Sequence, residues 1–165
     1  MDYSFSLFPR LIGFVFVGKL ASAGAVFRTS ILWRWKNVKA LSVVEPWGTM
    51  IANKTKLLEI RTWRPEVLPM LNVALVQNST RLTKEGDEDM TGQVIAVVDI
   101  VSCEPWVKED CEHSGCDESE FESGWLAWKL SNVRKLGNPV KAIAKRKFYD
   151  LADSEATKVK LELRT

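Results

Sequence analysis

Hydrophobic residues change their spacing twice between residues 39 and 63, and each spacing predicts a different element. A nearly continuous apolar run predicts a strand that ends at Pro46. Trp47, Met50 and Ile51 then recur at helical spacing, and proline is tolerated in a first helical turn because no N–H is needed there. The segment therefore predicts a strand followed directly by a short helix.

A second strand is predicted over Leu57–Trp63, where successive side chains point to opposite faces. Leu58, Ile60 and Thr62 share the face that we expect to join the core. The opposite face carries an acid, a guanidinium and an indole, which are Glu59, Arg61 and Trp63. This polar face brings candidate functional groups close together.

Later hydrophobic runs predict the other strands of a mixed sheet. They are Asn72–Gln77, Gly92–Val101, Trp125–Leu130 and Lys145–Leu151, with Thr157–Leu163 as an edge strand because its apolar residues alternate with charged ones. Gly92–Val101 is apolar on both faces apart from Asp99, so we expect it to be covered on both sides. With one well-marked helix, the pattern predicts an α+β fold built on a small mixed β-barrel of five to six strands.

The net charge of +2 conceals a strong segregation of charge along the chain. Between Glu85 and Glu122 there are thirteen acidic residues and one basic residue, in a stretch that includes an acidic loop with a short helix near Glu118. Basic residues flank this insert, among them Lys141, Lys145, Arg146 and Lys147. Basic faces attract phosphate, so these flanks are candidates for contact with nucleic acid.

Residues 1–37 fit no element of this domain. Their apolar run, Leu11–Val17, is followed by Lys19, and no stretch approaches the roughly 20 apolar residues of a membrane span. We expect an N-terminal extension outside the folded domain, translated from an upstream start, and a domain over residues 38–165. A cleaved or membrane-associating leader and a genuine structural element are the alternatives.

Cysteine usage favours a reducing, cytoplasmic compartment. Three cysteines do not make a disulfide framework. Cys103, Cys111, His113 and Cys116 supply the four ligands of a structural zinc, but without the paired spacing typical of such sites. We predict no metal, no cofactor and no membrane contact, and the sequence implies no obligate protein partner.

One series of motifs resembles the ASCH domain, a branch of the PUA-like superfamily of RNA-associated barrels. The series is Ser42, Pro46-Trp47, Lys56, Glu59, Arg61 and Trp63, then the strand VIAVVDIV and the segment GWLAW. The likeness runs from about Val38 to Leu151. It implies a β-barrel with helices packed at its mouth and a cleft, at the helix-to-strand junction, for nucleic acid or a modified nucleoside.

Candidate roles follow from this resemblance and from the chemistry of the residues. We expect Arg61 to hold a phosphate or a base edge, and Trp63 to stack on a base, with Trp106 as a second stacking candidate. Glu59 is expected to accept a hydrogen bond from a base amine, and Lys56 to add charge. Further binding candidates are Ser42, Lys145, Arg146 and Lys147. We interpret Trp47, Trp125 and Trp128 as packing residues.

Three functions remain open at this point. The first is a protein that binds RNA or a modified nucleoside. The second is an enzyme in which Lys56 and Glu59 are catalytic. Some bacterial proteins resembling this domain hydrolyse acetylcytidine with a motif lysine and a threonine three positions on, where this chain has Glu59, and others look like ribonucleases. The third is an interaction module that uses the acidic insert Glu85–Glu122. A surface ion pair between Lys56 and Glu59 is the purely structural alternative.

Overall fold

A six-stranded mixed sheet organises the described part of the chain, which is residues 37–164 of a computed structural model. Residues 1–36, nearly all of the predicted extension, lie outside the described residues. The strands are β1 (Lys39–Val44), β2 (Leu58–Arg61), β3 (Met70–Asn78), β4 (Glu88–Asp89), β5 (Gln93–Pro105), β6 (Leu126–Lys141), β7 (Ala144–Lys145) and β8 (Phe148–Asp150). The helices are α1 (Trp47–Ala52), α2 (Cys111–Ser114) and α3 (Asp153–Glu162), with 3-10 turns at Lys108–Asp110 and Glu118–Glu120.

The sheet has the strand order β2-β6-β5-β3-β1-β8 and curls into a half-barrel. Only β1 and β3 pair in parallel, with Leu41 opposite Leu75, and the other neighbours are antiparallel. The short strands β4 and β7 form a separate two-stranded ladder. This architecture confirms the predicted α+β fold built on a small mixed sheet of five to six strands.

Each face of the sheet packs against a helix, as the apolar pattern of β5 predicts. On one face, Ile51 and Ala52 of α1 join a core around Leu75 and the fully buried Trp128. On the other face, Val159 of α3 joins a second core that includes residues of β1, β3 and β5. A third, smaller cluster packs under the acidic insert and contains Trp106, Cys111 and Ala127.

The predicted edge strand at Thr157–Leu163 is wrong, because this segment belongs to α3. Glu155 accepts a hydrogen bond from the backbone N–H of Ala152 at 3.2 Å, and this contact helps to begin the helix. Alternation alone misled the prediction, since Val159 is fully buried while Leu161, two residues on, is 58% exposed. Burial therefore follows helical spacing here.

Several strand boundaries also differ from the prediction. The single strand expected over Lys145–Leu151 is divided into β7 and β8, and Lys147 between them has a positive φ of 61°. β5 and β6 are longer than expected, because they pair with each other along most of their length with register shifts. Long-range pairing of this kind leaves no local signal in the sequence.

Asp99, the one acid in the apolar strand, is held by a polar network. It accepts hydrogen bonds from the backbone N–H of Asn72 at 2.8 Å and from the side chain of Asn132 at 2.9 Å. Arg134 lies 3.4 Å from the same carboxylate. The network spans β3, β5 and β6, next to register shifts in both pairings.

Candidate functional site

The turn between α1 and β2 places Lys56 inside the protein. The backbone N–H groups of Thr55 and Lys56 both donate to the carbonyl of Met50, and Lys54 has a positive φ of 64°. The chain thus reverses tightly after the helix. The side chain of Lys56 points inward and is only 3% exposed, so the predicted pair with Glu59 is not a surface ion pair.

A continuous chain of polar contacts crosses the floor of the site. Lys56 Nζ donates to the carbonyl of Ser114 at 2.5 Å and lies 3.5 Å from Glu59 Oε2. The other oxygen of Glu59 lies 2.9 Å from Arg61 Nη2, which also donates to the carbonyl of Ser42 at 2.8 Å. Glu59, itself 5% exposed, therefore holds both cations.

Helix α2 and Gly115 cover this lysine from the side of the acidic insert. The backbone N–H of Leu57 donates to the carbonyl of His113 at 2.8 Å. Gly115 has a φ of +69°, and a Cβ there would lie 2.8 Å from Met50 Cε and 3.6 Å from Lys56 Cδ. Glycine is favoured at this position because the backbone is left-handed, and an added Cβ would also require the flexible end of Met50 to move.

Ser42 connects the floor to the β7–β8 segment. Its hydroxyl accepts a hydrogen bond from the backbone N–H of Lys145 at 3.1 Å and lies 3.2 Å from the hydroxyl of Tyr149. Burial raises the pKa of Tyr149, while its hydrogen bond with Ser42 acts against that rise. The basic segment is thereby fixed beside Arg61, which contacts the carbonyl of the same serine.

All eight predicted site residues line one cleft of about 450 Å³. They are Ser42, Lys56, Glu59, Arg61, Trp63, Lys145, Arg146 and Lys147. Counting every lining residue, the cleft has six basic side chains and two acidic ones, although the whole chain carries only +2. Basic side chains are therefore concentrated at the cleft, and Glu85 and Glu88 pair with two of them from outside the lining.

Four tryptophans of the described residues line the cleft, whereas the sequence suggested two of them for stacking, Trp63 and Trp106. Trp63 is half-buried, lines the cleft and packs edge-to-face against Trp128, with ring centroids 4.6 Å apart. Trp106 lines the cleft as well, but it is only 3% exposed and packs against Phe121, so little of its ring is open for stacking. Trp47 and Trp125 pack against the hydrophobic clusters, as we interpreted them, and they also line the cleft. Trp128 is fully buried, as predicted.

Thr62 and Arg81 line the cleft, although neither was predicted from the sequence as a site residue. Thr62, expected in the core, is exposed and lines the cleft, whereas Leu58 and Ile60 do pack against the third cluster. Arg81 belongs to the loop after β3, whose residues 80–83 form one wall of the cleft. The polar composition of that loop gave no indication of where it folds.

Asp89 holds the same loop in place. Its carboxylate accepts hydrogen bonds from the backbone N–H groups of Ser79, Thr80 and Thr91 and from the hydroxyls of Ser79 and Thr91. These bonds, led by those from Thr91, hold the pKa of Asp89 well below the usual carboxyl range. The cleft wall formed by residues 80–83 is therefore anchored from beneath.

The four candidate zinc ligands do not form a shared site. Cys103 belongs to the core around Trp128, whereas Cys111 and Cys116 pack in the third cluster. Within residues 37–164, no three His, Cys, Asp or Glu side chains are grouped as a metal site requires. No helix in that range is long and apolar enough to cross a membrane.

The sequence profile of the ASCH domain matches residues 41–140, and the chain belongs to the ASCH domain family. The crystal structure of ASCH from Zymomonas mobilis is similar, with a TM-score of 0.52 and 14% identity over 76% of this chain and 94% of that one. A tyrosine-to-phenylalanine mutant of that protein gives 0.52 and 14%, covering 76% and 98% of the two chains. A serine-to-alanine mutant gives 0.51 and 14%, covering 76% and 95%. At this identity the likeness shows the fold alone. None of the curated protein sequences gives a significant match.

Proposed function

We propose that the protein binds single-stranded RNA, with one nucleotide in the cleft and the neighbouring phosphates on its basic rim. The observation that carries the proposal is the lining of the cleft, in which six basic side chains oppose two acidic ones. Basic grooves with exposed aromatic faces track a phosphate backbone and stack its bases. Membership of a family associated with RNA binding agrees with this function.

Floor and walls of the cleft suit different parts of a nucleotide. One nitrogen of Arg61, Nη2, contacts both Glu59 and the carbonyl of Ser42. The side chain is 26% exposed, and the planar guanidinium has further donors for a phosphate or a base edge. Trp47, Trp63 and Trp125 are half-buried aromatic residues around the same space. A cleft of about 450 Å³ lies within the usual range of small-ligand sites. In this proposal Glu59 positions Arg61.

Salt dependence of RNA binding tests this proposal. Fluorescence anisotropy of a labelled single-stranded RNA is expected to show affinity that falls steeply with salt, because bound phosphates release counterions. Arg81→Ala and Lys147→Ala should each weaken binding and reduce the slope of log K against log salt by about 0.7 per lost phosphate contact. Both residues line the cleft and are exposed.

Lys158→Ala is the matched control, because Lys158 is an exposed lysine of α3 that does not line the cleft. It should leave the affinity and the slope close to their original values. Equal losses of RNA affinity in all three variants would indicate binding by general positive charge and would contradict a role for the cleft.

Hydrolysis of an acylated nucleoside is the rival function, because Lys56 and Glu59 both line the cleft. In that reaction water adds to the acetyl amide of acetylcytidine and releases acetate and cytidine. We expect no turnover, because Lys56 is 2% exposed and its ammonium is held by Ser114 and Glu59. Chromatography of cytidine after incubation tests this, and turnover that disappears in Lys56→Ala would instead identify an amidohydrolase.

A further inference from the structure

We propose that Lys145 and Arg146 form a phosphodiester subsite which the protein's own Glu85 and Glu88 occupy in the free state. This inference rests on the proposed function, and it adds which rim cations take the phosphates and what competes with them. Two carboxylates from the loop after β3 would act as intramolecular stand-ins for two phosphates of the strand.

Distances support this competition. Lys145 Nζ lies 2.7 Å from Glu88 Oε1, and Arg146 Nη1 lies 3.2 Å from Glu85 Oε2. Glu88 and Lys145 face each other across the β4–β7 ladder, which fixes their register. Both cations line the cleft, whereas neither glutamate does. The carboxylates therefore lie at the rim, where the proposed function places the neighbouring phosphates, and not in the cleft that would hold the nucleotide itself.

Carboxylate and phosphate oxygens bind ammonium and guanidinium groups by the same charge-assisted hydrogen bonds. The two pairs are open to solvent, with Glu85 91% exposed and Glu88 45% exposed. Exposed pairs of this kind contribute little free energy, so a strand that brings successive phosphates can displace them. A neutral nucleoside offers no group to replace the carboxylates.

The loop that carries these glutamates is well anchored, so the competing carboxylates stay close to the cations. Asp87 accepts hydrogen bonds from the backbone N–H groups of Thr83 and Lys84 at 2.8 and 2.7 Å. Asp89 fastens the ends of the same loop. The strap, by which we mean residues 79–91, thus holds Glu85 and Glu88 close to the two rim cations. A ligand must supply two negative groups to replace both glutamates, so ligands with several phosphates are favoured.

The double variant Glu85→Gln/Glu88→Gln tests this subsite. Two probes of equal length are compared by anisotropy, a single-stranded RNA and an abasic strand that has phosphates but no bases. We expect the variant to bind both probes about fivefold more tightly, the factor that corresponds to ~1 kcal/mol. A purely structural role for the two pairs would give the opposite sign, because loosening the strap would disturb the cleft wall.

Glu45→Gln serves as the control for unspecific removal of negative charge, because Glu45 is exposed and precedes the cleft residue Trp47 by two positions. Its affinity for both probes should stay near the original value.

Unchanged or weaker binding by the double variant, while the unchanged protein binds RNA, would overturn the subsite and leave the proposed function standing. If the double variant binds the abasic strand more tightly than the original protein does, but neither protein prefers RNA over the abasic strand, the result would support the subsite. It would contradict the binding of a base in the cleft. If neither protein binds either probe, both proposals fail.

Discussion

Replacing Glu59 by glutamine is expected to lower the free energy of unfolding by about 3 kcal/mol or more, because the change removes the carboxylate of a buried ion pair. Glu59 lies between Lys56 and Arg61, at 3.5 and 2.9 Å. Lys56 is 2% exposed, so with a neutral amide in place of this carboxylate its ammonium lies almost shielded from water without a counter-charge. Urea unfolding followed by tryptophan fluorescence measures the effect.

Glu88→Gln is the matched control, since it breaks the exposed Lys145–Glu88 pair and should cost less than ~1 kcal/mol. A second test uses Lys56→Met together with Glu59→Gln. The double variant should be less destabilised than the sum of the two single changes, because Lys56→Met removes the charge that Glu59→Gln leaves without a counter-charge. Simple additivity would show that the two side chains are not coupled.

Replacing Asp89 by asparagine is expected to cost about 2 kcal/mol near neutral pH, because the change leaves a backbone donor without an acceptor. One oxygen of Asp89 accepts from the backbone N–H of Thr91 at 2.8 Å, and the other accepts from that of Thr80 at 2.8 Å. Whichever oxygen becomes an amide nitrogen, one of these N–H groups faces another donor. The loop that carries Arg81 should then loosen.

The cost of Asp89→Asn should depend on pH in a defined direction. The pKa of Asp89 is lowered in the folded protein, so its contribution is complete above about pH 4, where the carboxyl is ionised in the unfolded chain as well. As the pH falls below that value, the contribution is lost progressively. The difference in unfolding free energy between the two proteins should therefore shrink toward about pH 3.

Urea unfolding at several pH values measures this difference. Glu122→Gln, a change at an exposed acid outside the cleft, should cause little loss at any pH. A difference between Asp89→Asn and the original protein that stays constant or widens as the pH falls would contradict the role of the ionised carboxylate.

Local patterns in the sequence predicted the arrangement of the site's floor well. Side-chain alternation placed Glu59 and Arg61 on one face of β2, and they do line the same cleft. The same alternation failed at residues 157–163, because a helix with only a few buried positions gives a pattern similar to that of an edge strand. Alternation identifies a face only where the element has been assigned correctly.

Long-range contacts account for the features that the sequence did not reveal. The wall containing Arg81 depends on Asp89, and the basic rim depends on the bond from the backbone of Lys145 to the hydroxyl of Ser42. These bonds join residues that no periodicity relates. The burial of Lys56 likewise depends on α2, which reaches it from a distant part of the chain. Spacing alone could therefore not decide between an exposed ion pair and a buried one.

An NMR titration of the labelled protein with a short single-stranded RNA shows whether RNA occupies the cleft. We expect the largest shifts at the indole N–H signals of Trp47, Trp63 and Trp125 and at backbone signals of residues 80–83 and 145–147, all of which line the cleft. Signals of α3 should change little. Shifts concentrated on α3 or on the acidic insert, with the cleft signals unmoved, would mean that RNA does not bind in the cleft.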